Sequence, residues 1–319
     1  MLRWKYSRQL LAVVLVLFAI APMLGGNPLA QPGLQQTLAV AFIYGGLALT
    51  YDGMYITCIL INHDVVPWYL AMVIAVAITA IFAMLVGMAS LRTTGITFAM
   101  VTLAFGEAGH VIINRNFFGL TGGENGIALD ATKVPQFWIG VVNTKYLYWT
   151  ALLALIIVYA IIWWITESSA GRVFAALRDN ELRVQVLGLD TQKFKLLSFV
   201  IAGSLASFLG VIMLLAAGSA APRFADANLT IALLLMVILG GAVTRWGAVI
   251  GGILYSVATT RMQDLTQQPF FTDLPKIIGG PLSEPALTLG ILFILVVMFA
   301  PGGLSGAYYK LRARAIAKK

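Results

Sequence analysis

Long apolar runs recur along nearly the whole chain, at about 9–25, 35–51, 53–62, 67–91, 94–114, 146–166, 194–217, 227–243, 246–260 and 285–300. Several approach the roughly 20 residues that an α-helix needs to cross a bilayer core. In lipid every backbone N–H and C=O must be paired within the protein, so only helices and closed barrels cross. A barrel would show alternating segments of about ten residues, and none is legible. The reading is an all-α polytopic membrane protein with about nine or ten transmembrane segments. Composition agrees: 60% of the 319 residues are hydrophobic and 11% charged, against roughly 45–50% and about 25% in soluble domains. Nothing resembles an appended soluble domain, so residues 1–319 read as one transmembrane domain.

The net charge of +8 comes mostly from cations flanking apolar runs. That is the cytoplasmic bias of Lys and Arg, and it replaces any nucleic-acid reading. Arg3, Lys5 and Arg8 place the N-terminus in the cytoplasm; Lys310, Arg312, Arg314, Lys318 and Lys319 place the C-terminus there too. The opening basic-then-apolar run resembles a signal peptide. More spans follow and no clean A-x-A site closes it, so it is read as the first helix. The 167–195 loop is also cytoplasmic by charge, and 115–145 is then external. The count closes only if 35–62 makes two short passes or one re-entrant excursion, with Gly53 as the break.

The densest charge lies in GRVFAALRDNELRVQVLGLDTQKFK (171–195). Val173, Phe174, Leu177, Val184 and Leu187 fit one helical face. Asp179 or Asn180 can cap a second short helix. Gly188 suits its left-handed end, and Asp190 or Thr191 caps the next long segment. A compact helical hairpin is expected. Two readings stand: a solvated loop whose cations fix topology, or a docking element with an apolar ridge and charges that set register.

The segment GRVFAALRDNELRVQVLGLDTQKFKLLSFVIAG resembles the coupling segment of the branched-chain amino-acid ABC permeases, the LivM-type membrane subunit. The matching features are Gly171-Arg172, Arg178 with Glu181, Gly188, and Lys195-Leu196-Leu197-Ser198-Phe199. LRTTGITFAMVTLAFGE (91–107), LTGGENGI (120–127), LLLMVILGGAVTRWGAVIGG (233–252) and FAPGGLSG (299–306) resemble further family segments, in the family's order. Two departures stand out. Arg183-Val184 replaces a common Ala-Ala pair, and the family's glycine-rich segment is not recognisable in TYDGMYITCILINHD (50–64). The resemblance implies a non-catalytic transport subunit in a prokaryotic cytoplasmic (inner) membrane. It implies ABC ATPase subunits, a second permease subunit and a solute-binding protein as partners. Arg172, Arg178, Glu181, Arg183, Val184, Leu187 and Gly188 would then couple to the ATPase. Arg178 and Glu181 would set register, Val184 and Leu187 would supply apolar contact, and Gly188 would permit the turn.

Glycines in LTGGENGI free backbone amides that can hold a carboxylate, and irregular backbone is tolerated where it lines a cavity. Thr121, Gly122, Gly123, Asn125 and Gly126 are therefore candidate path residues; an ordinary glycine turn is the alternative. No Gly-Lys-Ser/Thr follows, so no nucleotide cofactor is expected on this chain, and ATP–Mg belongs to a partner. Glu107 lies within an apolar segment and is a path candidate by that position. His110, three residues on, shares its helix face and could pair with it. Two histidines and one cysteine, Cys58, give no metal-ligand spacing. The functional expectation is an ABC importer subunit for branched-chain or related amino acids. Urea, short amides or another small solute are alternatives, and a proton-coupled transporter using Glu107 and His110 is a further one.

Overall fold

The computed structural model describes residues 50–116, 119–135, 138, 144–241 and 245–266, with isolated positions between 290 and 306. The expected first helix, residues 35–49 and both terminal charge clusters lie outside the described residues. The helices are α1 (Thr50–Asn62), α2 (Trp68–Ser90), α3 (Ile96–Arg115), α4 (Thr144–Glu167), α5 (Ser169–Asp179), α6 (Glu181–Val186), α7 (Thr191–Ala217), α8 (Ala227–Gly240) and α9 (Arg245–Thr266). Five helical stretches among the described residues are long and apolar enough to cross a membrane: Trp68–Ser90, Ile96–Arg115, Lys145–Glu167, Thr191–Ala217 and Pro222–Gly240. These boundaries fall within a few residues of the apolar runs.

The chain divides into two compact units, one of residues 46–230 and one of 1–45 with 231–319. In the first, α1, α2 and α7 pack on one another. The sequence reason is a run of small residues on one face of α2. Ala71, Ala75, Thr79, Ala83 and Gly87 recur every four positions, and all are buried. Small side chains let helices approach closely where lipid supplies no hydrophobic drive. A Cβ on Gly87 would lie 2.8 Å from Leu196 and 3.0 Å from Phe199 of α7.

The structure corrects the expectation at Gly53. Helix α1 runs through it without interruption. Glycine is needed there for proximity, because a Cβ would collide with the Ser207 backbone carbonyl of α7. Ser207 Oγ in turn donates to Thr79 Oγ1 at 3.0 Å, and both residues are buried. This bond joins the middle of α7 to the middle of α2.

A two-stranded antiparallel ribbon lies past the end of α7. Strand β1 (Ile127–Ala128) pairs with β2 (Ser219–Ala220), with Ile127 opposite Ala220 and Ala128 opposite Ser219. In the second unit, Gly240 and Gly251 let α8 and α9 meet backbone to backbone. A Cβ on Gly240 would collide with the Gly247 carbonyl, and one on Gly251 with the Met236 carbonyl.

Candidate functional site: a capped hairpin and a glycine loop

Helix α7 has 27 residues, about 40 Å at roughly 1.5 Å per residue. A charged hairpin precedes it and the ribbon follows it, so the two candidate regions sit at its opposite ends.

The hairpin is built from local signals. Ser168 caps α5, its Oγ accepting from Gly171 N at 3.3 Å. A Cβ on Gly171 would strike the carbonyls of Ile165 and Thr166, so glycine permits the tight α4–α5 corner. Asn180 ends α5 and caps α6, accepting from Arg183 N at 3.1 Å. Gly188 closes the hairpin at φ +78°, with open space around its Cα. Asp190 caps α7, accepting from Lys193 N at 3.3 Å. The Lys193 ammonium, 3.2 Å away, and the Lys193 amide hold the Asp190 carboxyl below the usual carboxylate range.

Tertiary contacts then fix the hairpin on α7. Lys195 Nζ lies 2.5 Å from Glu181 Oε1. The Phe174 and Phe194 rings meet edge to face at 6.3 Å. Arg172 Nη1 donates to Glu167 O at 3.3 Å, and Arg178 is exposed beside Asp179. Arg183 is exposed.

Here the structure redistributes the expected roles. Val184 is 2% exposed, whereas Leu182, Val186 and Leu187 are 71%, 88% and 75% exposed. Val184 therefore belongs to the hairpin's own core, and the outward ridge is Leu182, Val186 and Leu187. Helix α6 ends at Val186, so the helical spacing that groups Val184 with Leu187 does not carry through. Likewise Glu181 has an internal partner that sequence spacing alone does not reveal.

At the other end, Asn116 (φ +47°) terminates α3 and braces the glycine loop. Its Oδ1 accepts from Thr121 N at 2.9 Å, while Thr121 Oγ1 lies 2.7 Å from Ile113 O and donates to it. Gly122, Gly123 and Gly126 all have positive φ. Residues Gly123–Asn125 form one 3-10 turn. A Cβ on Gly126 would strike the Ala220 carbonyl and lie 2.8 Å from Ala221 Cα. These glycines thus serve both conformation and close approach. Gly123 is buried; Gly122 and Asn125 are exposed.

Asn62, at the end of α1, is a residue that sequence reading passed over. Its Nδ2 donates to Ala128 O at 2.8 Å and its Oδ1 accepts from Asp130 N at 3.0 Å. It acts as a third edge on the ribbon. Lys133 Nζ completes the corner, 2.7 Å from Asn62 O and 2.6 Å from Asp64. Glu107 is exposed on α3, and His110 Nε2 lies 3.4 Å from Asn114 Nδ2. Among the described residues no three His, Cys, Asp or Glu side chains cluster as a metal site.

Residues 33–300 match the family model described as branched-chain amino acid transport system / permease component. The chain is 27% identical over 296 residues to the high-affinity branched-chain amino acid transport system permease protein LivM of Escherichia coli (strain K12), covering 83% of this chain and 65% of that protein. It is 27% identical over 295 residues to the protein of the same name from Salmonella typhimurium, with the same coverage. It is 26% identical over 207 residues to a probable branched-chain amino acid transport permease protein LivM of Methanocaldococcus jannaschii, covering 63% of this chain and 57% of that protein. The chain thus spans less than two-thirds of the length of these curated relatives. No solved structure matches it. The apolar helices and these relatives make it a multi-pass inner-membrane protein. With the family model matching most of its length, the chain belongs to the branched-chain amino acid transport system permease family.

Proposed function

We propose that this chain is the membrane-spanning subunit of an ABC importer for branched-chain or related amino acids. It lines the path and binds no nucleotide; ATP–Mg sits on separate ATPase subunits. A solute-binding protein delivers the solute at the ribbon end, and a second permease subunit completes the path.

The observation that carries the reading is the hairpin. Leu182, Val186 and Leu187 project from a segment held by two side-chain caps, a left-handed glycine, an ion pair and a ring contact. A flexible topology loop has no need of such bracing, whereas an element that transmits ATPase closure must be rigid and present an apolar surface. Exposed Arg172, Arg178 and Arg183 give the hairpin cationic charge that sets register. Exposed Glu107 supports the second-subunit assignment: a carboxylate on a lipid-facing helix is costly, so α3 faces protein or a wet path. The bonded Thr121–Gly126 loop forms a firm mouth for that path.

The test is uptake by proteoliposomes holding the chain with its co-purified partners. ATP inside, with binding protein and leucine outside, is expected to drive accumulation. Uptake driven by a proton gradient without ATP would overturn the proposal.

A further inference from the structure

We infer that Asp52, with the hydroxyls of Tyr51 and Tyr55, forms a station at mid-membrane depth for the charged head group of a zwitterionic solute. This rests on the importer reading above and names the chemistry that the path would recognise.

The neighbouring Gly53 is pressed against Ser207, and Ser207 is bonded to Thr79 at the centre of α2. From Asp52 to Asn62, the residue tied to the ribbon, the helix rises about 15 Å, half the roughly 30 Å of a bilayer core. Asp52 therefore lies near the middle of the membrane-spanning layer, and it is partly buried.

Among the described residues Asp52 makes no ion pair and its carboxylate accepts no hydrogen bond. Asp64, Asp130, Asp179, Glu181 and Asp190, by contrast, each make an ion pair. Tyr55 is 4% exposed, and its hydroxyl is buried with no partner. Asp52 and Tyr55 are three residues apart, and Tyr51 and Tyr55 four, so Tyr55 shares a helix face with each of them. Tyr51 reaches towards α3, where a Cβ on Gly109 would lie 2.7 Å from its hydroxyl. A buried hydroxyl without a partner is expensive, and an ionisable residue inside a span is retained for function by default. An anion and two phenolic donors within the first two turns of one helix complement an α-amino acid: the carboxylate takes the ammonium, and the hydroxyls take the solute carboxylate. A purely aliphatic path for an uncharged amide would need no such anion.

The test uses the complete transporter in proteoliposomes, with binding protein saturated by L-leucine. Asp52→Asn is expected to assemble with its partners and keep stimulated ATP hydrolysis. Leucine moved per ATP should fall about tenfold or more, with Asp52→Glu recovering most of it. Tyr55→Phe should give a smaller loss. A second measurement needs no variant. A hydrophobic carbodiimide should modify Asp52 in the wild-type complex, read by peptide mapping apart from Glu107. L-leucine should slow that modification, and 4-methylpentanoate, which lacks the ammonium, should not. Wild-type transport by Asp52→Asn, or equal protection by both solutes, would overturn the inference. Absence of ATP-driven leucine uptake by the wild-type complex would instead refute the importer reading on which it rests.

Discussion

Lys195 Nζ and Glu181 Oε1 lie 2.5 Å apart, so the second turn of α7 holds the first residue of α6. Both side chains are about a third or less exposed. A pair so placed contributes on the order of 1 kcal/mol. Its larger effect is directional, because it fixes the angle at which the Leu182–Val186–Leu187 ridge leaves the bundle. Glu181→Lys alone is expected to reduce co-purification of ATPase subunits, and the swapped pair Glu181→Lys with Lys195→Glu to restore it. If Glu181 instead touches the partner directly, the swap will not rescue.

Gly188 separates conformation from contact, since its left-handed φ is accompanied by open space. A β-branched residue there costs about 1–2 kcal/mol. Gly188→Val is expected to insert normally, hydrolyse ATP through its partners, and transport poorly. Gly188→Asn, which tolerates the left-handed region, should keep most transport. Equal activity of the two variants would remove Gly188 from the coupling mechanism.

Asp190 gives the hairpin a pH signature. Its folded carboxyl is held below the ordinary Asp range by the Lys193 ammonium and amide. A depressed value means the cap's contribution is complete above the unfolded range and is lost as pH falls through the folded value. Hydrogen exchange at the first turn of α7 should therefore lose protection in acid. Asp190→Asn keeps an acceptor without that titration, and its protection should be flat over the same window.

How much of this was legible in the sequence depends on range. The caps at Asn180 and Asp190 and the turn at Gly188 follow from side chains bonding amides two or three residues away, so a local pattern reveals them. The four-residue spacing of Ala71, Ala75, Thr79, Ala83 and Gly87 is local too, but among so many small apolar residues it stands out only once the burial of α2 is known. Asn62 was not legible: its partners, Ala128 and Asp130, stand more than sixty positions along the chain. Gly53 shows the same limit. A glycine within an apolar run reads equally as a break or a close approach, and only Ser207 decides. Val184 was grouped with Leu187 because three-residue spacing implies a shared face. That inference fails where a helix of six residues stops before the second position.

Asn62 offers a stability test. Replacing it by Leu leaves Ala128 O and Asp130 N without their partner. The expected loss is about 2 kcal/mol, seen as a lower unfolding temperature in detergent and easier proteolysis near 127–133. Asn62→Asp keeps one acceptor and should fall between. An unchanged melting temperature for Asn62→Leu would contradict the bracing role.

The most direct measurement uses the single cysteine of the chain. Cys58 is fully buried, so a new thiol at Val186 stands without background. The full-length Val186→Cys protein, in native membranes, would be treated with a short bifunctional thiol cross-linker, with Glu124→Cys at the glycine loop as the control. Val186→Cys is expected to be joined to an ATPase subunit, in a yield that changes when nucleotide is added, and Glu124→Cys is not. A cross-link to the ATPase from Glu124→Cys but none from Val186→Cys would contradict the docking of the hairpin.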